Sequence, residues 1–344
     1  MNDIFREDME QVSESGFIEW EKFRGKTILI TGATGLIGVN LVNALSYADK
    51  KFSLGLKILA VVRNLAKAQG LFAGLEDLSF VVSDVEALKN IDSPVDYIIH
   101  GASHTSSRYF VSNPAETIAT ALAGTANVLA LARSKNVLGL VYLSSMEAYG
   151  HVETERLLTE SDLGYIDPLK PRSSYPESKR MCEAMCSAYA NEYGTPAKIV
   201  RLVMTFGPGI VEGDSRVCAE FLRCVVDGRD IVLKTEGGAK RCYLYTADAV
   251  SAVLTVLLQG EAGRAYNAGN PETYCSVREM AGLVANEVSG GRIGVKISLG
   301  QDVSMYYPAP GFLKLDVSAI SGLGWRAVYG RREMYIRTRK YIEQ

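Results

Sequence analysis

The chain has 344 residues, 47% of them hydrophobic and 22% charged, with a formal net charge of −2. That is apolar material for one large core or two fused ones, and the near-neutral balance gives no electrostatic drive toward nucleic acid or an anionic membrane. No apolar run approaches the roughly 18 residues of a membrane helix, and the opening MNDIFREDMEQVSESGFIEW is acidic and broken by charges, unlike a signal or transit peptide; the cytoplasm is the expected location.

Residues 1–24 read as an N-terminal extension. Lys26 to Thr31 (KTILIT) then reads as a buried strand running into Gly32-Ala33-Thr34-Gly35-Leu36-Ile37-Gly38, and Leu36 to Tyr47 is apolar at helical spacing. Strand, glycine turn and helix in that order are the context in which such glycines signal dinucleotide binding. Gly32 permits the tight turn, Gly35 lets the backbone approach a pyrophosphate at the positive end of the helix, and Gly38 lets helix and strand close up. Further apolar runs at 56–62, 78–83, 95–100, 138–144 and 197–203 alternate with helical segments, the pattern of a parallel sheet covered on both faces. The second run ends in Arg63-Asn64 rather than in an acidic residue. An arginine there suits a 2′-phosphate, with Lys67 one turn on, which favours NADP over NAD; stacking on adenine or a solvent-facing role is the alternative.

Beyond the fifth run, Ser174-Tyr175-Pro176-Glu177-Ser178-Lys179 puts a phenol four residues before an ammonium, on one face of a helix. A lysine charge about 4 Å away is worth roughly 4 kcal/mol at an effective dielectric of 20, enough to lower a phenol by up to roughly three pKa units toward neutrality. Tyr175 then becomes a base able to take a proton from an alcohol while its carbon gives up a hydride. Glu147 stands two residues after Ser145, so both side chains share a side if the strand end stays extended; a helix-capping or ion-paired glutamate is the alternative. After about Gly207 the alternation stops and shorter segments rich in Gly, Arg and Tyr follow, which marks 207–344 as mainly a smaller substrate-binding lobe, with some segments returning to the main domain, on a 25–206 nucleotide domain. The six cysteines form no paired C-x-x-C, and Cys182 and Cys186 read as core packing, so neither metal nor disulfide is expected.

The glycine turn, Asp84-Val85, His100-Gly101-Ala102-Ser103, Leu143 to Gly150 (LSSMEAYG), Tyr175/Lys179, Arg201 to Pro208 (RLVMTFGP) and Arg241 to Val250 (RCYLYTADAV) occur in an order that resembles the extended short-chain dehydrogenase/reductase family. Within it, the likeness is to the nucleotide-sugar epimerases, dehydratases and decarboxylases, and it covers nearly the whole chain from about Gly25. The resemblance implies an α/β fold, a Rossmann-type doubly wound parallel sheet with a smaller C-terminal lobe, acting on a nucleotide sugar through a 4-keto intermediate. It implies a cofactor site of Gly32, Thr34, Gly35, Leu36, Ile37, Gly38, Arg63, Asp84, Val85, Gly101, Ala102 and Ser103, together with Tyr175 and Lys179. It assigns catalysis to Ser145, Glu147, Tyr175 and Lys179. Arg216 and Arg241 match diphosphate-binding arginines, with ordinary surface arginine as the alternative, and Tyr245 either lines the nucleotide pocket or belongs to the core. Asp167 to Tyr175 looks like the approach to the catalytic tyrosine of UDP-glucuronate decarboxylases, and Met146 stands where 4,6-dehydratases carry an acid. These points rank a decarboxylase first and a 4-epimerase, dehydratase or reductase second, with a non-catalytic dinucleotide-binding regulator as a further alternative. Ala121 and Met204 depart from the family, each standing for a common asparagine. In similar enzymes the helices matching Asn113–Ser134 and Ser174–Tyr193 build a homodimer, with plain packing of their apolar stripes inside one chain as the alternative.

Overall fold

The computed structural model describes residues 2–211, 213–299 and 311–344. In chain order the strands are β1 (Thr27–Thr31), β2 (Lys57–Val62), β3 (Leu78–Val82), β4 (Tyr97–His100), β5 (Gly139–Ser145), β6 (Leu157–Leu158), β7 (Ala197–Leu202), β8 (Met204–Phe206), β9 (Ile231–Leu233), β10 (Lys240–Tyr245), β11 (Ala265–Ala268), β12 (Asn270–Ser276), β13 (Val295–Ile297) and β14 (Phe312–Leu315). Seven of them form one wholly parallel sheet in the order β11-β7-β5-β4-β1-β2-β3. Every residue of β1 and β4 is buried, as continuous apolar strands covered on both faces must be. Because side chains alternate across a strand, Ile28, Ile30, Ile58 and Ile99 pack into one core beside helices Leu36–Phe52 and Thr246–Gln259, while Leu29, Leu59, Ile98 and Tyr142 pack into the other, with Val128 and Cys182 of helices Pro114–Lys135 and Ser174–Tyr193.

The chain runs outward from β1 through β2 to β3, then returns to β4 on the other side of β1. The strand order reverses there, and a crevice opens beyond the carboxyl ends of β1 and β4. The later chain builds a second sheet, β12-β10-β14-β6 with β8 beside β10, yet helix Thr246–Gln259 and β11 return to complete the main sheet. The extension is integral too. Asn2 caps helix Asp3–Glu14 by accepting from the backbone N–H groups of Ile4 and Phe5, Met9 and Val12 are fully buried, and the helix packs on Leu36–Phe52, Thr246–Gln259 and Arg331–Glu343. Helix Pro114–Lys135 is long and apolar enough, averaged over its length, to span a bilayer, which a search for unbroken apolar runs passes over; in the fold it packs along Ser174–Tyr193.

Candidate active site

The glycines after β1 are fixed by what lies against them. Gly32 has φ +72°, and a Cβ there would sit 2.7 Å from the Gly101 backbone. On Gly38 a Cβ would meet the Gly32 carbonyl oxygen at 2.2 Å. Turn, helix and the end of β4 therefore approach one another as closely as backbone allows. Gly35 is the N-cap of Leu36–Phe52 and supplies no side chain to its free N–H groups, which leaves them for an anion. Across the crevice, Asp84 starts the short turn Val85–Ala87, held against helix Pro114–Lys135 because a Cβ on Gly124 would meet Val85 Cγ1 at 2.7 Å. Arg63, 71% exposed at the end of β2, lies 3.8 Å from the Asp84 carboxylate. This bare-backbone cradle at a helix N-terminus, with a carboxylate and a guanidinium at its rim, fits a dinucleotide.

The reaction side begins at Ser145, the last residue of β5. The strand does not continue in extended form as expected: Met146–Tyr149 turn at once into a 3₁₀ helix whose Glu147 N–H donates to Ser145 Oγ at 3.2 Å. Glu147 is aimed by a partner instead, the guanidinium of Arg172, 2.8 Å away on the short helix Pro171–Ser173. Tyr175 is buried at the start of helix Ser174–Tyr193, its ring stacked on that of Phe110 with centroids 4.2 Å apart and planes 6° apart. Lys179 Nζ donates to the Leu143 carbonyl at 2.8 Å and lies 5.5 Å from the Tyr175 ring centroid.

The expectation that the lysine charge draws Tyr175 toward neutrality is not met by the protein alone. Burial holds the phenol well above its ordinary value and the negative charge of Glu147 adds to this; the Ser145 hydroxyl and the charges of Arg172 and Arg216 oppose it. Burial also draws the Lys179 ammonium down to about 8. Beside it, buried His100 joins Thr31 Oγ1 (2.7 Å) to Thr125 Oγ1 (3.2 Å), and burial with the nearby Lys179 charge lowers it to about 3, so it stays neutral. Thr125 donates to Cys182 Sγ and Cys182 to the Ala121 carbonyl, at 3.2 and 3.3 Å, so polar connections pass this point without the family's asparagine side chain.

The lobe residues part company. Tyr245 is a core residue: it is 0% exposed and donates to Asp8 Oδ2 of the N-terminal helix at 2.8 Å, so it lines no pocket. Arg216 is gripped by Asp214 at 2.6 Å and donates to the Thr205 carbonyl at 2.8 Å, while remaining close enough for its charge to act on Tyr175. Arg241, on β10, forms no ion pair among the described residues, and its buried Nε has no hydrogen-bond partner. Arg172 and Phe110 were not singled out from the sequence. Arg172 lies inside the Asp167–Tyr175 segment that carried the decarboxylase likeness; Phe110 carries no sequence signal.

A parallel sheet that reverses order beside a glycine cradle, with a buried tyrosine and lysine at the crevice, defines a dinucleotide-binding protein of the dehydrogenase type. The model of the NAD dependent epimerase/dehydratase family matches residues 28–269, and the chain belongs to that family. UDP-glucuronic acid decarboxylase 1 of Xenopus tropicalis is 31% identical over 327 residues, which cover 93% of this chain and 72% of the frog protein. Its Danio rerio counterpart is 30% identical over 270 residues, 77% of this chain and 61% of the fish protein. Among solved structures, an epimerase from Methanothermobacter thermautotrophicus superposes with a TM-score of 0.82 at 24% identity over 94% of both chains. A dTDP-glucose 4,6-dehydratase from Streptomyces venezuelae, with NAD bound, superposes at 0.77 and 23% identity over 92% of this chain and 97% of its own. The structural likenesses establish the fold.

Proposed function

We propose that this chain decarboxylates a nucleotide-linked hexuronic acid, UDP-glucuronate being the first candidate, by way of a 4-keto sugar. The observation that carries the reading is Glu147, fixed by Arg172 close enough for its charge to act on Tyr175, with buried Met146 where a dehydratase has its acid. The names of the relatives point the same way. Residues 32–38, with Asp84, Val85 and 101–103, would hold the cofactor, and a bound nicotinamide would supply the hydride acceptor and donor. Ser145 hydrogen-bonds the reacting C4 oxygen, and Tyr175 takes its proton. Once C4 is a ketone, the C5–C6 bond breaks, carbon dioxide leaves and its electron pair passes into the C4–C5 enolate. The Glu147 carboxylate orients this end of the sugar, a proton returns to C5, and no cofactor is consumed overall. Arg241, with its partnerless Nε, suits the diphosphate better than Arg216, which would first have to share Asp214.

Carbon-13 at C6 of UDP-glucuronate should therefore emerge as labelled carbon dioxide, and Glu147→Gln should slow that release far more than it weakens substrate binding. Label retained in a C4-inverted sugar would make the enzyme an epimerase, and stoichiometric consumption of reduced cofactor would make it a reductase. We infer NADP as the preferred cofactor, because an exposed Arg63–Asp84 pair is worth no more than about 1 kcal/mol and releases its guanidinium readily to a 2′-phosphate. Arg63→Ala should weaken NADP by roughly 1.5–3 kcal/mol and leave NAD nearly unchanged, the scale of a charged hydrogen bond; equal affinity of the native protein for both overturns the preference. A homodimer is proposed through helices Pro114–Lys135 and Ser174–Tyr193, which leave the large apolar side chains of Ile118, Met181 and Tyr193 exposed.

A further inference from the structure

Arg172 enters the chemistry above only as the partner that fixes Glu147, yet its surroundings give it a further role. It belongs to a three-residue helix, Pro171–Ser173, immediately ahead of the catalytic helix. Its two terminal nitrogens reach the two carboxylate oxygens of Glu147 at 2.8 and 2.9 Å, a bidentate pair. The guanidinium carbon lies 5.6 Å from the centroid of Phe110, whose ring is stacked on that of Tyr175. Its Nε is buried without a partner, and the side chain is only 13% exposed. So one cation is wedged between the carboxylate of Glu147 and the aromatic wall of the base.

We propose that Arg172 is a positioning residue for proton transfer: by neutralising Glu147 where it stands, it lets a carboxylate and a phenol that must lose its proton occupy the same crevice. This rests on the reading of Tyr175 as the base but not on the identity of the product. An uncompensated carboxylate beside a buried phenol holds the phenolic proton in place; a guanidinium on that carboxylate removes most of the field. The other charged groups around Tyr175 do not substitute for it. Arg216 is committed to Asp214, Lys179 is tied to the Leu143 carbonyl, and Arg180 on the same helix donates to the carbonyls of Ala148, Tyr149 and Gly164 and lies 3.7 Å from Glu177. On the neighbouring helices Glu116 is held by Tyr109 and Asn113, Arg133 lies over the Tyr193 ring, and Arg108 is exposed to solvent, which screens its charge. Tyr142, the remaining titratable group from β5, is buried and neutral. Burial raises Tyr175, Glu147 raises it further, and Arg172 is the largest of the nearby charges that lower it.

The test is a titration of the cofactor-loaded protein by its near-ultraviolet phenolate band, taken as the difference from Tyr175→Phe, alongside the pH profile of cofactor reduction by whichever nucleotide sugar is turned over. Arg172→Ala should move the Tyr175 transition and the acid limb of the profile up by about one unit, the scale of one lost neighbouring charge, and so cost roughly tenfold in rate at a fixed pH on that limb. Arg172→Lys should restore most of the shift. Adding Glu147→Gln to Arg172→Ala should bring the transition back to its native position, since there is then nothing to neutralise. The proposal falls if Arg172→Ala lowers the rate equally at all pH values with the transition unmoved, or if Glu147→Gln leaves the shifted transition where it is. A shifted transition with no carbon dioxide released would uphold Arg172's role and overturn the decarboxylase.

Discussion

Two of the clusters of tyrosine, carboxylate and cation among the described residues are used in opposite ways. At the crevice, Tyr175, Glu147, Arg172 and Lys179 meet; on the far side of the sheet, Tyr245, Tyr329, Asp8 and Arg337 tie the N-terminal helix to the C-terminal one. In the second cluster both phenols are donors to the carboxylate, Tyr245 at 2.8 Å and Tyr329 at 3.5 Å, and Arg337 closes it at 2.7 Å. Each proton there has a fixed acceptor, which makes a latch. In the first cluster the carboxylate is taken by the arginine and the lysine by a backbone carbonyl, so the phenol keeps its proton without a carboxylate to hold it. The same residue types give a clamp where every bond is made and a reactive group where one is left open.

Removing one phenolic oxygen from each cluster should separate the two uses, and this is the largest effect expected. Tyr175→Phe should retain cofactor binding and thermal stability but lose about a hundredfold to ten-thousandfold in turnover, the usual share of a general base. Tyr245→Phe should do the reverse, leaving turnover nearly native while costing about 1–3 kcal/mol in stability, because Asp8 loses a buried donor. Steady-state rates and melting curves on the two variants decide it. A near-native rate for Tyr175→Phe removes that residue from the mechanism, and an unaltered melting point for Tyr245→Phe removes the latch.

The two clusters were not equally legible in the sequence. The glycine turn and the Tyr175/Lys179 spacing are local patterns with a local physical cause, and the structure places them at the reversal of strand order where such a motif acts. Five of the six apolar runs match strands nearly to the residue, and the remaining one, 95–100, begins two residues early; the main sheet's seventh strand, β11, is a four-residue segment that no run marks, one of the segments past Gly207 that return to the main domain. Glu147 is legible as a residue but not in its geometry: it shares a side with Ser145 only if the strand end stays extended, and Ser145 instead caps a turn. The latch was invisible because Asp8 and Tyr245 are 237 residues apart, and an acidic residue in an N-terminal extension reads as solvated. The fold buries Asp8 completely, and only then does Tyr245 have a reason to be in the core rather than at a nucleotide.

The smallest effect expected concerns pH, and it sharpens the contrast because the clusters slope in opposite directions. Next to the latch, Asp248 is buried and accepts from the backbone N–H groups of Val328 and Tyr329 at 2.9 and 3.1 Å; burial still pushes its carboxyl up to about 7, and burial pushes Asp8 up to about 6 against the pull of Arg337. Both values stand above the roughly 3.9 of an unfolded aspartate, so between about pH 4 and 7 the folded chain binds more protons than the unfolded one. Stability from these groups therefore rises as pH falls from 8 to 6, by about 1–2 kcal/mol, or roughly 1–3 °C in melting temperature for a chain of this length. His100, Lys179 and Lys198, all drawn down by burial, pull the other way, since each favours the neutral form in the fold. The latch is thus read as a difference: Asp248→Asn should melt with a pH dependence lacking that gain on acidification, whereas parallel curves for the two proteins would show Asp248 to be ionised throughout. Turnover over the same range should fall, because acid returns the proton that Tyr175 must give up, so one change of pH firms the closed cluster while it silences the open one.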